Sequence, residues 1–314
     1  MNKRKQQKKL ISLLIILAMT LGLAACGANA PSASGSGTLS MVDPSGAEIT
    51  VPEKIDSIVV LAPSIAEAVV ALGYGDKIVA YDISSVGLEG LPADVPVFDL
   101  MEPDMEQLMV LKPDLLLVTN LSLYDETNPY QQLIDEGVCV ACIPTSDSIA
   151  DIQSDIAFIA SVLGEKEKGD ALISKMQAEI EEITAIAQGI TEKKTVYFEI
   201  SAAPYMYSFG KGVFLNEILE LIGAENILGD QEGWLSVGEE SVVAANPDVI
   251  LTNVNYIDNP TQEIMERDGW DALTAVQNGD VYYIDNMASS LPNQNVVIAM
   301  RQMAETIYPE YYEK

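Results

Sequence analysis

The sequence predicts an α/β protein: two doubly wound α/β lobes joined by a single long backbone helix. Three observations predict it. From Ile55 onward, short apolar β-branched runs alternate with longer helical patterns, an amphipathic segment over 165–188 separates two such series, and one short motif occurs once in each series. Alternation of this kind builds a mostly parallel sheet with helices on both faces.

The first element is a leader. Met1 to Lys9 carries five basic residues and no acid, and Leu10 to Leu23 is mostly apolar. About fourteen apolar residues fall short of the ~20 that a helix needs to cross a bilayer, so the run reads as a signal-peptide core over residues 1–25 and not as a permanent span. Leu23-Ala24-Ala25-Cys26-Gly27 places small residues before a cysteine at the first mature position, which resembles a bacterial lipoprotein box and implies a lipid on Cys26. An ordinary cleavable signal with a chance cysteine is the alternative. Residues 26–50 follow as lipidated cysteine and flexible tether. Gly27 to Gly37, rich in Gly, Ala, Ser and Pro and uncharged, has nothing from which to build a core.

Residues 51–163 form the expected N-terminal lobe. Strands are predicted at Ser57 to Leu61, Ile78 to Tyr81, Leu115 to Thr119 and Val138 to Ile143, and helices at Ser64 to Leu72, Asp104 to Leu111 and Pro129 to Asp135. Cys139 and Cys142 fall within one strand. At that spacing they point to opposite faces roughly 10 Å apart, so they read as core residues; a redox or metal pair is the alternative.

The connecting helix is placed at 164–189. Leu172, Met176, Ile180, Ile183 and Ala187 recur at spacings of four and three, giving one apolar stripe. At 1.5 Å per residue the amphipathic segment over 165–188 is ~36 Å long, enough to run beside two lobes and leave little hinge motion. An ordinary lobe helix with a loop as linker is the other reading. The C-terminal lobe, 190–314, contains predicted strands at Thr195 to Ile200, Val249 to Thr252 and Val281 to Ile284, with helices at Phe214 to Ile222, Glu239 to Ala245 and Asn295 to Ile307.

Composition excludes several functions. The whole chain has a net charge of -30; without the leader, 12 basic residues face 47 acidic ones, a net of -35. Such a surface repels nucleic acid. With no histidine in the chain, Ser-His-Asp and Cys-His catalysis and the usual imidazole metal sites are unavailable. No catalytic residue, metal ligand set or cofactor is expected.

The repeated motif reads Glu-x6-Pro-Asp-strand-Thr-Asn, from Glu106 to Asn120 and again from Glu240 to Asn253. In each copy a cap residue, Asp104 or Gly238, precedes a short helix that ends at Pro-Asp. The two glutamates lie 134 residues apart and occupy equivalent places. A helix-dipole role worth roughly 0.3–1 kcal/mol explains one first-turn acid, but it does not ask for the same acid at the same offset in both lobes.

These motifs carry a family resemblance over Ile55 to the end. Ala62-Pro63-Ser64-Ile65-Ala66-Glu67, Glu106 with Leu111-Lys112-Pro113-Asp114, Leu221-Ile222-Gly223-Ala224-Glu225-Asn226-Ile227, and Glu240 with Asn246-Pro247-Asp248 resemble the class III solute-binding proteins that receive ferric siderophores, haem and cobalamin. The resemblance implies two lobes joined by one long helix, and an ABC permease dimer with its ATPase as partner. It also implies that Glu106 and Glu240 dock onto permease arginines, with Glu239 as the rival in the second lobe.

The ligand is expected between the lobes, at loops leaving the carboxyl ends of the strands. Candidate contacts are Ser64, Asp99, Leu100, Met101, Tyr124, Tyr207, Phe209, Trp234, Asn255 and Met287, a set suited to a bulky, flat or greasy ligand. The mature chain has two arginines, Arg267 and Arg301, neither in a predicted cleft loop, and Lys211 is the only nearby base. Anionic catecholates and haem propionates generally need such bases, so a corrinoid or a neutral ferric chelate is favoured, with haem held through Tyr or Met as the alternative. A glycosidase using two cleft carboxylates, a bare-metal receptor and a lipid-anchored adhesin are the remaining classes. Symmetric glutamates at helix starts suit docking better than catalysis.

Overall fold

Ile58–Val60, Leu115–Val118 and Cys139–Cys142 are buried at every residue. Strands covered on both faces belong to parallel sheets sandwiched by helices. The structure, a computed structural model, describes residues 38–122 and 128–312. In the N-terminal half, Ile58–Val60 (β3), Ile78–Asp82 (β4), Val97–Phe98 (β5), Leu115–Val118 (β6) and Cys139–Cys142 (β7) form a parallel sheet in the order β5-β4-β3-β6-β7. Helices Pro63–Ala71 (α1), Met105–Leu111 (α2) and Gln131–Asp135 (α3) connect them. One apolar cluster packs on each face: Cys139 belongs to one with Ile58 and Leu115, Cys142 to the other with Val59 and Leu116. Burial pushes both thiols up to about 11, so they are unreactive core groups near neutral pH, as their spacing predicts.

Residues 38–50, expected to continue the tether, instead enter the fold. Thr38–Val42 (β1) and Glu48–Pro52 (β2) pair antiparallel, from Thr38 against Pro52 to Val42 against Glu48. Ile49 and Val51 are buried while Glu48 and Thr50 are exposed, a period-two pattern that anchors the hairpin on the N-terminal core. Asp43 fixes its turn: Oδ1 accepts from the Ser45 and Ala47 amides, and Oδ2 accepts from the Cys142 amide at 2.8 Å.

The second half repeats the architecture with a smaller sheet. Thr195–Glu199 (β8), Glu225–Asn226 (β10), Val249–Thr252 (β12) and Val281–Tyr283 (β13) are parallel in the order β10-β8-β12-β13, and Tyr207–Phe209 (β9) pairs antiparallel with Trp234–Ser236 (β11). Its helices are Phe214–Leu221 (α6), Glu239–Ala245 (α7), Pro260–Met265 (α8), Thr274–Asn278 (α9), Asn286–Ser290 (α10), Val296–Ile307 (α11) and Pro309–Tyr312 (α12).

Between the halves run Ile149–Val162 (α4) and the long helix Lys166–Ala187 (α5). The expected stripe on α5 faces the second lobe's core: Met176, Ile183 and Ala187 are buried, with Leu172 and Ile180 packed beside them. Helix α4, absent from the sequence reading, serves both cores. Ile149, Ile152 and Ile156 join the second-lobe cluster, whereas Ile159, Ala160 and Val162 join the first. The two helices touch at Gly169, where a Cβ would lie 2.4 Å from that of Ala160. Glycine there permits an approach that any side chain would obstruct.

Candidate functional site

The repeated motif folds the same way twice. Helices α2 and α7 each have seven residues, with Glu106 and Glu240 second in the helix, and each ends on a left-handed residue, Lys112 (φ 41°) or Asn246 (φ 46°). Those cap amides donate to Leu108 and Val242 carbonyls, both at 2.9 Å, and both side chains, Leu108 and Val242, are fully buried. The aspartate of each Pro-Asp then ties two strands together. Asp114 Oδ2 accepts from the Ser57 amide and hydroxyl at 2.9 Å, and Asp248 Oδ2 accepts from the Thr195 amide and hydroxyl at 2.8 Å. The Pro-Asp repeat therefore has a structural reason, and the Ser57/Thr195 half of it was invisible in the sequence pattern. The glutamates have none of this: Glu106 and Glu240 are exposed and have no partner among the described residues.

At the carboxyl edge of the first sheet lies a cavity of about 180 Å³. The first turn of α1 contributes Ser64, and loops leaving β5, β6 and β7 contribute Leu100, Thr119 and Ser146; α4 contributes Ile152, Asp155 and Ile156; and residues 290–293 of the second lobe close it. Across this junction Glu67 on α1 accepts from the Asn293 and Asn295 side-chain amides, while Gln294 donates to the Glu67 carbonyl at 3.4 Å. Of the sequence candidates, Ser64 and Leu100 line the cavity. Asp99 and Met101 are exposed beside Leu100, the Asp99 side chain accepting from the Met101 amide at 2.7 Å.

The second lobe supplies the aromatic candidates. Trp234 and Tyr207 on the β9/β11 pair are 43% and 40% exposed, Asn255 is exposed after β12, and Met287 on α10 is half-buried. Phe209 requires a correction: it is fully buried, 5.6 Å from Phe198 and 6.2 Å edge-on to Trp234. The short strand runs from the surface at Tyr207 into the core, so Phe209 supports Trp234 from below and offers no face to a ligand. Tyr205 (83%) and Tyr256 (65%) are exposed aromatics that were not singled out as contacts. Tyr256 is held in place by the Ala202 amide, which donates to its hydroxyl at 2.9 Å. Tyr124 and Cys26 lie outside the described residues.

Every base considered for this region has a carboxylate partner. Arg267 forks onto Glu199, Nη1 to Oε2 at 2.8 Å and Nη2 to Oε1 at 3.0 Å, and also holds Glu263 through Nε at 3.1 Å. It stacks 4.3 Å from the Trp270 ring and is almost wholly buried. Burial raises the Glu199 carboxyl above its usual range, opposed by the Arg267 fork. Arg301 pairs with Glu182, and Lys211 with Glu232 at 3.5 Å.

Two residues at the junction escaped sequence reading, Asp155 and Glu67's amide partner Asn293. Asp155 follows an apolar position by three and precedes one directly on an Ile149-Ile152-Ile156 stripe, which begins at a Ser148 cap, so the signal existed once α4 was recognised.

Comparison with known proteins accords with this architecture. Residues 58–288 match the periplasmic binding protein family. The ABC transporter substrate-binding lipoprotein YvrC of Bacillus subtilis is 31% identical over 274 residues, spanning 87% of this chain and 86% of that protein. The vitamin B12-binding protein of Vibrio parahaemolyticus is 23% identical over 81% of this chain and 90% of its own length. A solved structure from Staphylococcus epidermidis, described as a possible iron-binding periplasmic solute-binding protein, superposes with a TM-score of 0.71 at 26% identity over 81% of this chain and 99% of that one. The chain belongs to the periplasmic binding protein family, as an extracytoplasmic substrate-binding component of an ABC importer and not as an enzyme.

Proposed function

We propose that this protein captures a bulky metal chelate, a corrinoid or a neutral ferric siderophore, between its lobes and presents it to a permease dimer through Glu106 and Glu240. The observation that carries the reading is the chemistry of the walls: exposed Trp234, Tyr207, Tyr205 and Tyr256 on one lobe, and no base free of a carboxylate among Arg267, Arg301 and Lys211. Aromatic faces favour a large, flat or greasy ligand, each contact contributing on the order of 1 kcal/mol beyond buried area. An anionic catecholate or a haem propionate finds no guanidinium to replace its lost water. The vitamin B12-binding relative and the possible iron-binding structural neighbour accord with both ligand classes.

Titration of cobalamin, cobinamide, a neutral ferric hydroxamate, a ferric catecholate and haem, followed by tryptophan fluorescence, tests the ligand class. The chain has two tryptophans, and Trp270 is fully buried, so the responsive emitter is Trp234. At least one of the first three probes binds, and Trp234→Ala weakens that binding about fivefold to tenfold when read by absorbance. Tight binding of the catecholate alone sinks the reading. Haem binding alone, with the spectrum of a Tyr- or Met-ligated iron, replaces it with the haem alternative.

The lipid anchor is part of the same proposal, supported by the Leu23 to Cys26 motif and by a relative described as a lipoprotein. Cys26→Ala releases the protein from membranes or leaves it unprocessed on fractionation. A processed, membrane-bound Cys26→Ala protein contradicts the anchor.

A further inference from the structure

Among the described residues lining the cavity at the lobe junction, Asp155 is the one ionisable group. Its neighbours on α4 are Ile152, Ile156 and Ile159, all lining the same space. Oδ2 accepts from the Ser146 hydroxyl at 2.6 Å, and Oδ1 has no partner among the described residues. Asp155 also borders an outer opening with Asp147 and Asp151. Nothing cationic lines either space among the described residues, and Asn293 and Ser290 close the far side with neutral groups. At about 180 Å³ the cavity lies below the 300–1,000 Å³ of a typical small-molecule site and holds roughly six water-sized groups, so it suits one short arm of a ligand whose body lies in the open cleft.

We propose that Asp155 is a specificity-determining residue: its free carboxylate oxygen accepts an N–H from an amide or ammonium arm of the ligand, so the cleft takes chelates with such arms and rejects the same chelates with carboxylate arms. The inference rests on the chelate reading above and deepens it. A carboxylate arm would enter beside Asp155 with no cation to offset the repulsion or replace lost hydration. An N–H arm completes the empty half of the carboxylate with a charge-assisted hydrogen bond. Burial, with a contribution from Asp151, raises the Asp155 carboxyl to about 6. The acceptor is therefore present above pH 6 and is lost as pH falls through that value. Other groups near it are Asp151 and Asp147, both exposed, and Glu217 of α6, which is engaged with the Ile149 amide at 2.8 Å.

Two matched pairs test this: cobinamide against cobyrinic acid, one ring with amide or carboxylate arms, and ferrioxamine B with its terminal ammonium against its succinylated, carboxylate-ended derivative. In the wild type at pH 7.5, the N–H member of at least one pair binds about ten- to a hundredfold more tightly, the range of one charge-assisted hydrogen bond. Asp155→Leu, which removes the acceptor, brings that pair within a few-fold; Asp155→Asn, nearly isosteric, narrows the ratio. Ser146→Ala, which leaves the charge, keeps the preference. Wild type at pH 5 behaves like Asp155→Asn, and the change between pH 7.5 and 5 is smaller in that variant. Thermal melts check that all variants are folded. An unchanged ratio in both Asp155 variants overturns the inference while leaving the chelate reading standing. If the wild type binds none of the four probes, the inference fails, while the chelate reading stands or falls on the separate cobalamin titration.

Discussion

Arg267→Ala lowers the stability of the second lobe by about 3–5 kcal/mol, the range for removing one partner of a buried ion pair. The loss exceeds that of an ordinary surface arginine for a geometric reason. Glu199 ends β8, a central strand of the second sheet, and is 1% exposed, with both carboxylate oxygens committed to the Arg267 fork. Deleting the guanidinium strands that carboxylate without solvent and also removes the cation stacked on Trp270. A calorimetric melt falls by roughly 10 °C, given about 2–4 °C per kcal/mol for a domain of this size. The pH dependence distinguishes lost charge pairing from lost packing. Burial already holds the Glu199 carboxyl above its unfolded value, and the variant lacks the hydrogen bonds that oppose this rise. The folded variant then binds a proton that the unfolded chain has released, so its deficit shrinks as pH falls from neutrality toward the usual carboxylate range. A deficit that stays flat with pH assigns the loss to packing. Arg267→Ala combined with Glu199→Gln recovers part of the stability, because a neutral amide is cheaper to bury than an unpaired charge.

Why some of this was legible in sequence and some was not follows from the local signals. Strands such as Val249–Thr252 and helices such as Glu239–Ala245 lie where apolar runs and caps place them, because each is one uninterrupted pattern bounded by Pro-Asp or a capping residue. The hairpin over 38–52 was overlooked although Ile49 and Val51 alternate with polar neighbours: the adjacent Gly/Ser-rich stretch suggested that the tether continued. Phe209 shows a different limit. An aromatic two residues from an exposed tyrosine reads as a neighbour on the same surface, but over three residues β9 passes from solvent to core, and only its contacts with Phe198 reveal this. The Glu263–Arg267 arm is a local i,i+4 pair, whereas the Glu199–Arg267 pair joins positions 68 residues apart, so no local pattern encodes it. The same holds for Glu67 and Asn293, which meet across 226 residues.

Glu106→Ala together with Glu240→Ala leaves ligand capture near the wild-type level and reduces uptake by about a hundredfold or more. The two helices that present these residues share length, position of the acid, left-handed cap and buried anchor, so the carboxylates occupy equivalent sites on the two lobes. In each motif the aspartate is consumed in tying strands together, whereas the glutamate is exposed and has no partner among the described residues. A structural acid would be engaged; a docking acid has to be available. Removing one such group from an interface that buries it against a guanidinium typically costs 2–5 kcal/mol, so even the lower figure at both lobes accounts for the expected loss. Single variants fall between wild type and the double mutant, and charge-reversing Glu→Lys changes are at least as damaging because they oppose the permease arginines implied by the family resemblance. Purified double mutant retains its affinity for whichever chelate the wild type binds, and its melting temperature moves little, since each acid contributes roughly 0.3–1 kcal/mol through its helix dipole. Glu239→Ala serves as the comparison, being the neighbouring acid on the same first turn. If uptake survives the double substitution and falls with Glu239→Ala, the second docking residue is Glu239. If uptake survives all three changes, Glu106 and Glu240 are helix-terminus acids only, and the permease reads another surface.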